Sequence, residues 1–272
     1  MGYLFDPANW EWVTTENNLR FLLEGFLVNL EIALIAIVFS LIFGLLLALL
    51  RLSPLRPLSI AAGVWVDVWR NLPLIFIILY LALALPAPWK EFYESNVPEF
   101  FPEALQSGRV FAGILGLVLY NSAVLAEIMR AGILSLDRGQ GEAAASLGLT
   151  YPQQLRYVIL PQGLRRMVPA TVSQLITLNK DTTLVSIIAI QEVMRHGRIL
   201  SSGFGVFTGS DVQTPLLQVF IFIGALFVIV NYALSRLSRR LEIRERKRTT
   251  GGTPGPISGL EDQTALVAEA SR

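Results

Sequence analysis

Residues 139–161 read Gly139-Gln140-Gly141-Glu142-Ala143-Ala144-Ala145-Ser146-Leu147-Gly148-Leu149-Thr150-Tyr151-Pro152-Gln153-Gln154-Leu155-Arg156-Tyr157-Val158-Ile159-Leu160-Pro161. The run from Glu142 to Leu147 is rich in helix formers, and Gly148 can supply the left-handed backbone that ends a short helix. A second helix follows. Thr150 and Gln153 have capping-box spacing, Pro152 is tolerated in a first turn, and Leu155, Val158 and Ile159 share one helical face. The stretch therefore predicts a compact helix-turn-helix. On composition alone, Ala143, Ala144 and Gly148 would also suit an ordinary small-residue turn.

On either side of this loop the chain is strongly apolar. Hydrophobic residues make up 53% of the 272 positions and charged residues 16%, with a mean hydropathy of +0.54; a soluble domain carries roughly a quarter of its residues as charges. A bilayer core of about 30 Å takes roughly twenty apolar residues as helix, because backbone amides without water must pair inside their own segment. Stretches 21–50, 58–85, 110–134, 168–190 and 216–234 meet that requirement. The expected fold class is an all-α membrane protein with about five transmembrane helices.

Charge placement orients these spans. The turn Arg51-Leu52-Ser53-Pro54-Leu55-Arg56-Pro57 and the run Arg236, Arg239, Arg240, Arg244, Arg246, Lys247 and Arg248 belong in the cytoplasm by the positive-inside rule. Glu91, Glu94, Glu99 and Glu103 suit an outer loop. The amino terminus is then outside and the carboxyl terminus cytoplasmic. The loop 139–165 lies on the cytoplasmic face, and Arg195, His196 and Arg198 are a basic exception on the outer side. The organisation expected is an extracytoplasmic segment 1–20, a transmembrane domain 21–240 and a cytoplasmic tail 241–272. Gly251, Gly252, Pro254, Gly255, Pro256 and Gly259 break any period, so the tail is expected to be disordered. The basic run before it is read as an anchor to inner-leaflet lipid, with no aromatic or groove-reading context for nucleic acid.

Several chemistries lack their residues. There is no cysteine and one histidine, His196, so disulfides, thiolate metal sites and a zinc cluster are not expected. No G-x-x-x-x-G-K-[ST] loop, paired-histidine metal motif or G-x-S-x-G elbow occurs, so neither ATP binding by this chain nor intramembrane hydrolysis is expected. The amino terminus has no secretory signal pattern, and Asp6 stands where a myristoylation start requires serine or threonine.

Against this background, the loop resembles the EAA loop of ABC importer permeases, with Glu142, Ala143, Ala144, Gly148, Val158, Leu160 and Pro161 at the motif positions. Val158 stands where isoleucine is usual. Asn179-Lys180-Asp181-Thr182-Thr183-Leu184 looks like the polar-amino-acid branch of that family, and the likeness runs over about 21–234. The resemblance implies a type I ABC importer permease in a bacterial cytoplasmic (inner) membrane, with no catalytic residues of its own. Glu142, Ala143, Ala144, Gly148, Leu160 and Pro161 would form the coupling helix seated in a groove of an ATP-binding subunit. ATP and Mg²⁺ would be bound by a dimer of that partner, and no cofactor by this chain. The remaining implied partners are a second identical or homologous permease, an extracytoplasmic solute-binding protein and the transported amino acid. The implied mechanism is alternating access.

A charge at bilayer depth costs about 3 kcal/mol or more, so the polar residues inside the spans are the candidate substrate path. In the second span, Asp67, Arg70 and Asn71 share a face at i, i+3 and i+4. An ion pair is the plain reading, and Arg70-Asn71-Leu72-Pro73 resembles the family's arginine-glycine-threonine-proline segment with its two middle residues changed. In the third span Glu127 and Arg130 can neutralise one another, and Asn121 lies deeper. In the fourth, Gln174, Thr177 and Asp181 follow one stripe, while Ser173, Thr177 and Lys180 follow the next. Lys180 and Asp181 offer complementary charges to an amino acid or to each other. In the first, Asn29 and Glu31 point about 160° apart and cannot face one cavity. Acidic, amide and basic substrates all fit these charges, with glutamate or glutamine as the working expectation. The alternative is an ion-coupled secondary carrier or channel for a small polar solute, which would leave the helix-turn-helix loop without a purpose.

Overall fold

The computed structural model describes residues 5–14, 16–202 and 215–250, with side chains to 243. Every regular element among the described residues is helical. The long helices are α1 (Glu16–Arg51), α5 (Gly108–Leu134), α8 (Leu160–Asp181) and α10 (Leu216–Thr250). Between them lie α2 (Arg56–Asn71), α3 (Leu74–Ala84), α4 (Ala87–Asn96), α6 (Arg138–Ser146), α7 (Tyr151–Gln154) and α9 (Val193–Ser201). A 3₁₀ turn, Thr182–Ile188, continues α8 and ends at Ala189, whose φ of 60° lies in the left-handed region.

Helix α5 is the hub, pairing with α1, α2, α3 and α8, while α10 packs on α8 and α9. The main core joins α1, α3, α5 and α8 through Ile32, Ala36, Ile78, Leu117, Leu125 and Leu178. A second core gathers Trp12, Leu22, Phe26, Val193, Val219 and Ile223 at the junction of α1, α9 and α10. Trp12 is fully buried there, edge-on against Phe222 at 5.7 Å.

The spans differ from the expected five in instructive ways. Among the described residues three single helices, over Glu16–Arg51, Gly108–Leu134 and Leu216–Ile243, are long and apolar enough to cross a membrane. The stretch expected as one span over 58–85 is the pair α2 and α3, bent by 100°. Pro73 has no amide hydrogen and forces the residue before it out of the helical region, and Leu72 has φ −80° and ψ 141°. The stretch 168–190 does not pass on apolarity. Its helix begins earlier, at Leu160, and carries Gln174, Thr177, Asn179, Lys180 and Asp181. At the chain ends, α1 already starts at Glu16, within the expected outer segment. Helix α10 runs on to Thr250, past the expected start of the tail at 241, and 251–272 lie outside the described residues.

Candidate functional site

The loop between α5 and α8 folds as its residues dictate. Asp137 caps α6 by accepting from the Gly139 amide at 2.8 Å, which satisfies one of the unpaired amides of the first turn. At the far end the Gly148 and Leu149 amides donate to the Ala145 and Ala144 carbonyls at 2.9 and 3.2 Å. This closure needs the left-handed Gly148, whose φ is +77°. The Thr150 amide then donates to Gln153 Oε1 at 2.8 Å, the capping box anticipated from the spacing. A short π turn, Leu155–Ile159, passes directly into α8.

Within this loop Ala144 is buried, whereas Glu142, Ala143 and Gly148 face outward. Leu160 is half-buried and Pro161, in the first turn of α8, is exposed. The most prominent apolar side chain at the tip is Leu147, 82% exposed, a residue that the motif positions passed over. Three contacts hold the loop to the bundle. Tyr151 Oη donates to the Leu52 carbonyl at 3.1 Å, Arg166 Nη1 to the Ser135 carbonyl at 2.6 Å, and Gln162 Nε2 to Gln140 Oε1 at 3.2 Å. Helices α5 and α8 cross almost backbone to backbone beside it. A Cβ on Gly163 would lie 2.9 Å from Ile133 Cγ1, and one on Gly132 3.1 Å from the Gly163 carbonyl oxygen.

The expected path residues separate into two groups. Glu127 is the centre of an ionic cluster with Arg51, with Arg130 at 3.0 Å and with Arg70 at 3.9 Å. Asp67 lies 3.7 Å from Arg51 and 3.6 Å from Arg70. Three guanidinium groups thus surround two carboxylates, bracing the end of α1 against α2 and α5. Asn71 is turned away from the cluster and donates to its own helix, to the Asp67 carbonyl at 2.6 Å. Arg51 was read from the sequence only as a loop cation; its separation of 76 residues from Glu127 hides the pairing.

The second group lies along α8. Gln174 Nε2 donates to Asn121 Oδ1 at 2.8 Å, and the Asn121 amide donates to the Leu117 carbonyl at 2.8 Å. Thr177 is exposed and bonds back to Ser173. Lys180 is exposed and Asp181 half-buried, and the two form no ion pair within 4.0 Å.

Beyond them is a polar knot that the sequence did not reveal. Asn29 Nδ2 donates to Thr182 Oγ1 and to Glu192 Oε2, each at 3.0 Å, and Asn29 Oδ1 accepts from the Val193 amide at 3.0 Å. Glu192 also caps α9, accepting from the Arg195 amide at 2.8 Å. All three side chains are fully buried. Burial pushes the Glu192 carboxyl above its ordinary range, opposed by these N–H donors. Nearby, His196 stacks on Phe21 at 4.0 Å and its Nδ1 is 2.7 Å from the Phe21 carbonyl; burial lowers its pKa. Glu31, on the other side of α1 from Asn29, faces a cleft of about 300 Å³ that it lines with Glu24, Gln191 and His196. None of the expected path residues lines that cleft.

Among the described residues an all-helical bundle has three helices long and apolar enough to cross a membrane, which defines a class, the multi-pass helical membrane protein. The chain belongs to the family described as binding-protein-dependent transport system inner membrane component, whose model matches residues 30–246, and within it to the amino acid ABC transporter permeases. It is 38% identical over 231 residues to the probable glutamine ABC transporter permease protein GlnP of Bacillus subtilis (strain 168), covering 85% of this chain and 96% of that protein. It is 31% identical over 234 residues to the glutamate/aspartate import permease protein GltK of Escherichia coli O157:H7, covering 86% and 97%. Among solved structures, a crystal structure of an amino acid ABC transporter with histidines superimposes with a TM-score of 0.68 at 27% identity, covering 86% of this chain and 98% of that one.

Proposed function

We propose that this chain is the membrane subunit of an ATP-driven importer that carries a polar amino acid inward by alternating access, with glutamine or glutamate as cargo. The observation that carries this reading is the continuity of the loop with α8. The exposed Leu147 and Glu142 lie at one end of a continuous helical connection, and Lys180 and Asp181 lie at the other. A partner that holds the loop can therefore displace the polar helix.

In this reading the amino terminus is outside, the loop cytoplasmic, and Leu147, Glu142, Ala143 and Gly148 meet an ATP-binding subunit. That subunit binds ATP and Mg²⁺ and supplies hydrolysis. A solute-binding protein delivers substrate from outside, and a second permease completes the pathway. Lys180 and Asp181 are charged to meet the substrate's carboxylate and ammonium groups. Asn121, Gln174 and Thr177 line the same helix pair. Asp67, Arg70, Asn71 and Glu127 act near the inner end, as a brace that must rearrange when the pathway opens inward. The names of the relatives, glutamine for one and glutamate/aspartate for the other, support the substrate class.

The test is uptake of labelled glutamine and glutamate by proteoliposomes containing this permease, its ATP-binding subunit and its binding protein. Uptake that requires ATP inside and binding protein outside is the expected result. Uptake driven by an ion gradient with no ATPase present would sink the reading and put an ion-coupled carrier in its place.

A further inference from the structure

Helix α8 is held differently at its two ends. Its inner turns are bound to α5 and to the loop. Gly163 lies so close to Ile133 that a Cβ would be 3.0 Å from the Ile133 Cα, and Arg166 donates to the Ser135 carbonyl at 2.6 Å. The loop and the inner turns of α5 and α8 thus form one block. The outer half is tied by side-chain hydrogen bonds to three other helices. Gln174 bonds Asn121 of α5 at 2.8 Å, Asn179 bonds Asn231 of α10 at 3.1 Å, and Thr182 bonds Asn29 of α1 at 3.0 Å.

Between the halves is Pro169, inside the helix. Having no amide hydrogen, it cannot bond the carbonyl four residues back, and its ring crowds that carbonyl, which makes it a natural place for a helix to bend. Its own carbonyl accepts from Ser173 Oγ at 3.1 Å and from Ser238 Oγ of α10 at 3.2 Å. Bending there breaks no backbone bond donated by residue 169, which has no amide hydrogen. Bending at the Asn29 knot would be costly, because it would take from Glu192 Oε2 and Thr182 Oγ1 their Asn29 donor and from the Val193 amide its Asn29 acceptor, all of them buried.

We propose that the Asn29–Thr182–Glu192 knot is the fixed point of the transport movement, and that these three are positioning residues. They hold the Lys180–Asp181 end of α8 still while its loop-bearing end swings about Pro169. The inference rests on the importer reading above. It adds that the outer end of α8 does not travel with the loop, so loop motion becomes a change of angle. Without the knot, the whole helix would slide with the loop and partner hydrolysis would no longer change access to Lys180 and Asp181.

The experiment measures both substrate uptake and ATP hydrolysis in proteoliposomes of the full complex, for wild type, Asn29→Leu, Asn29→Asp, Glu192→Gln, the Asn29→Asp/Glu192→Gln double variant and Pro169→Ala. Asn29→Leu is expected to lower uptake per ATP hydrolysed by about tenfold, the scale of a lost internal coupling, with hydrolysis close to wild type. Asn29→Asp alone sets two carboxylates together, and Glu192→Gln alone turns an amide donor toward other donors. The double variant restores one amide facing one carboxylate and is expected to recover uptake per ATP above either single change. Pro169→Ala is expected to slow maximal uptake about threefold with KM unchanged, by stiffening the joint.

If Asn29→Leu keeps the wild-type uptake per ATP, the fixed-point assignment is wrong. If uptake and hydrolysis fall together, in proportion to assembled complex and with no recovery in the double variant, the knot is merely structural and the assignment is again wrong. A wild-type complex that shows no ATP-dependent uptake would instead overturn the importer reading, and this inference with it.

Discussion

Glu127 accepts or faces three guanidinium groups, those of Arg51, Arg70 and Arg130, from a side chain that is only 19% exposed. Removing it should leave these cations facing each other in a poorly solvated place. We expect Glu127→Ala to lower stability by about 3 kcal/mol, the scale for breaking one side of a buried ionic cluster. Asp67 is half-exposed with partners at 3.6 and 3.7 Å, so Asp67→Asn should cost less than about 1 kcal/mol. Thermal unfolding of both variants in one detergent checks the order, and equal losses would contradict it. His196 gives a pH dependence. Burial holds its imidazole neutral in the fold, although the Phe21 carbonyl and Glu24 pull the other way. The unfolded chain takes up a proton below about pH 6.5, so stability from this group is present above that pH and is lost as the pH falls through it. A melting curve series from pH 8 to 5 should flatten in His196→Gln. The Glu127–Arg130 and Asp67–Arg70 pairs were readable from three-residue spacing. Arg51 and the Asn29 knot were not, because contacts between residues far apart in sequence leave no local period.

Among the elements, the loop was the most legible because each of its devices is local. A proline in a first turn, a capping pair and a glycine at positive φ all act within four residues. Gly148→Ala should therefore cost about 1 kcal/mol through backbone strain alone, since nothing lies within 4 Å of an added Cβ. Gly163→Val differs in kind. Its Cβ would press on Ile133 at 2.9 and 3.0 Å, with an expected loss of about 2 kcal/mol or a separation of α5 from α8. Measuring both by thermal unfolding distinguishes strain from overpacking, and a Gly163→Val variant as stable as Gly148→Ala would contradict the close crossing. The apolar run over 58–85 predicts one span and says nothing of its bend, because apolarity counts residues and not direction. Pro73 was visible in that run, but the 100° turn it permits depends on α3 finding its place against α5. Helix α8 likewise extends beyond its apolar stretch, which begins at 168 while the helix starts inside the loop at Leu160.

For the whole molecule, the arrangement reads as a lever built into a bundle. A surface loop continues into a polar helix, that helix crosses α5 at two glycines, and its far end is fastened to α1. The apolar pattern was enough to specify a multi-pass helical protein, and the loop's motif was enough to specify its family. The cores and the ties between distant helices emerge only from packing, since most of the side chains involved are ordinary aliphatics, asparagines and glycines. The central claim is that Glu142 and Leu147 present the surface on which an ATP-binding subunit docks. It is tested most directly by copurifying that subunit with detergent-solubilised permease, comparing wild type with the double variant Glu142→Lys/Gly148→Trp and with Leu147→Asp. Wild type is expected to retain the subunit and its ATP hydrolysis. Both variants should lose it by at least about tenfold while keeping wild-type elution on size exclusion, because the altered side chains are exposed. Full retention by both folded variants would contradict it.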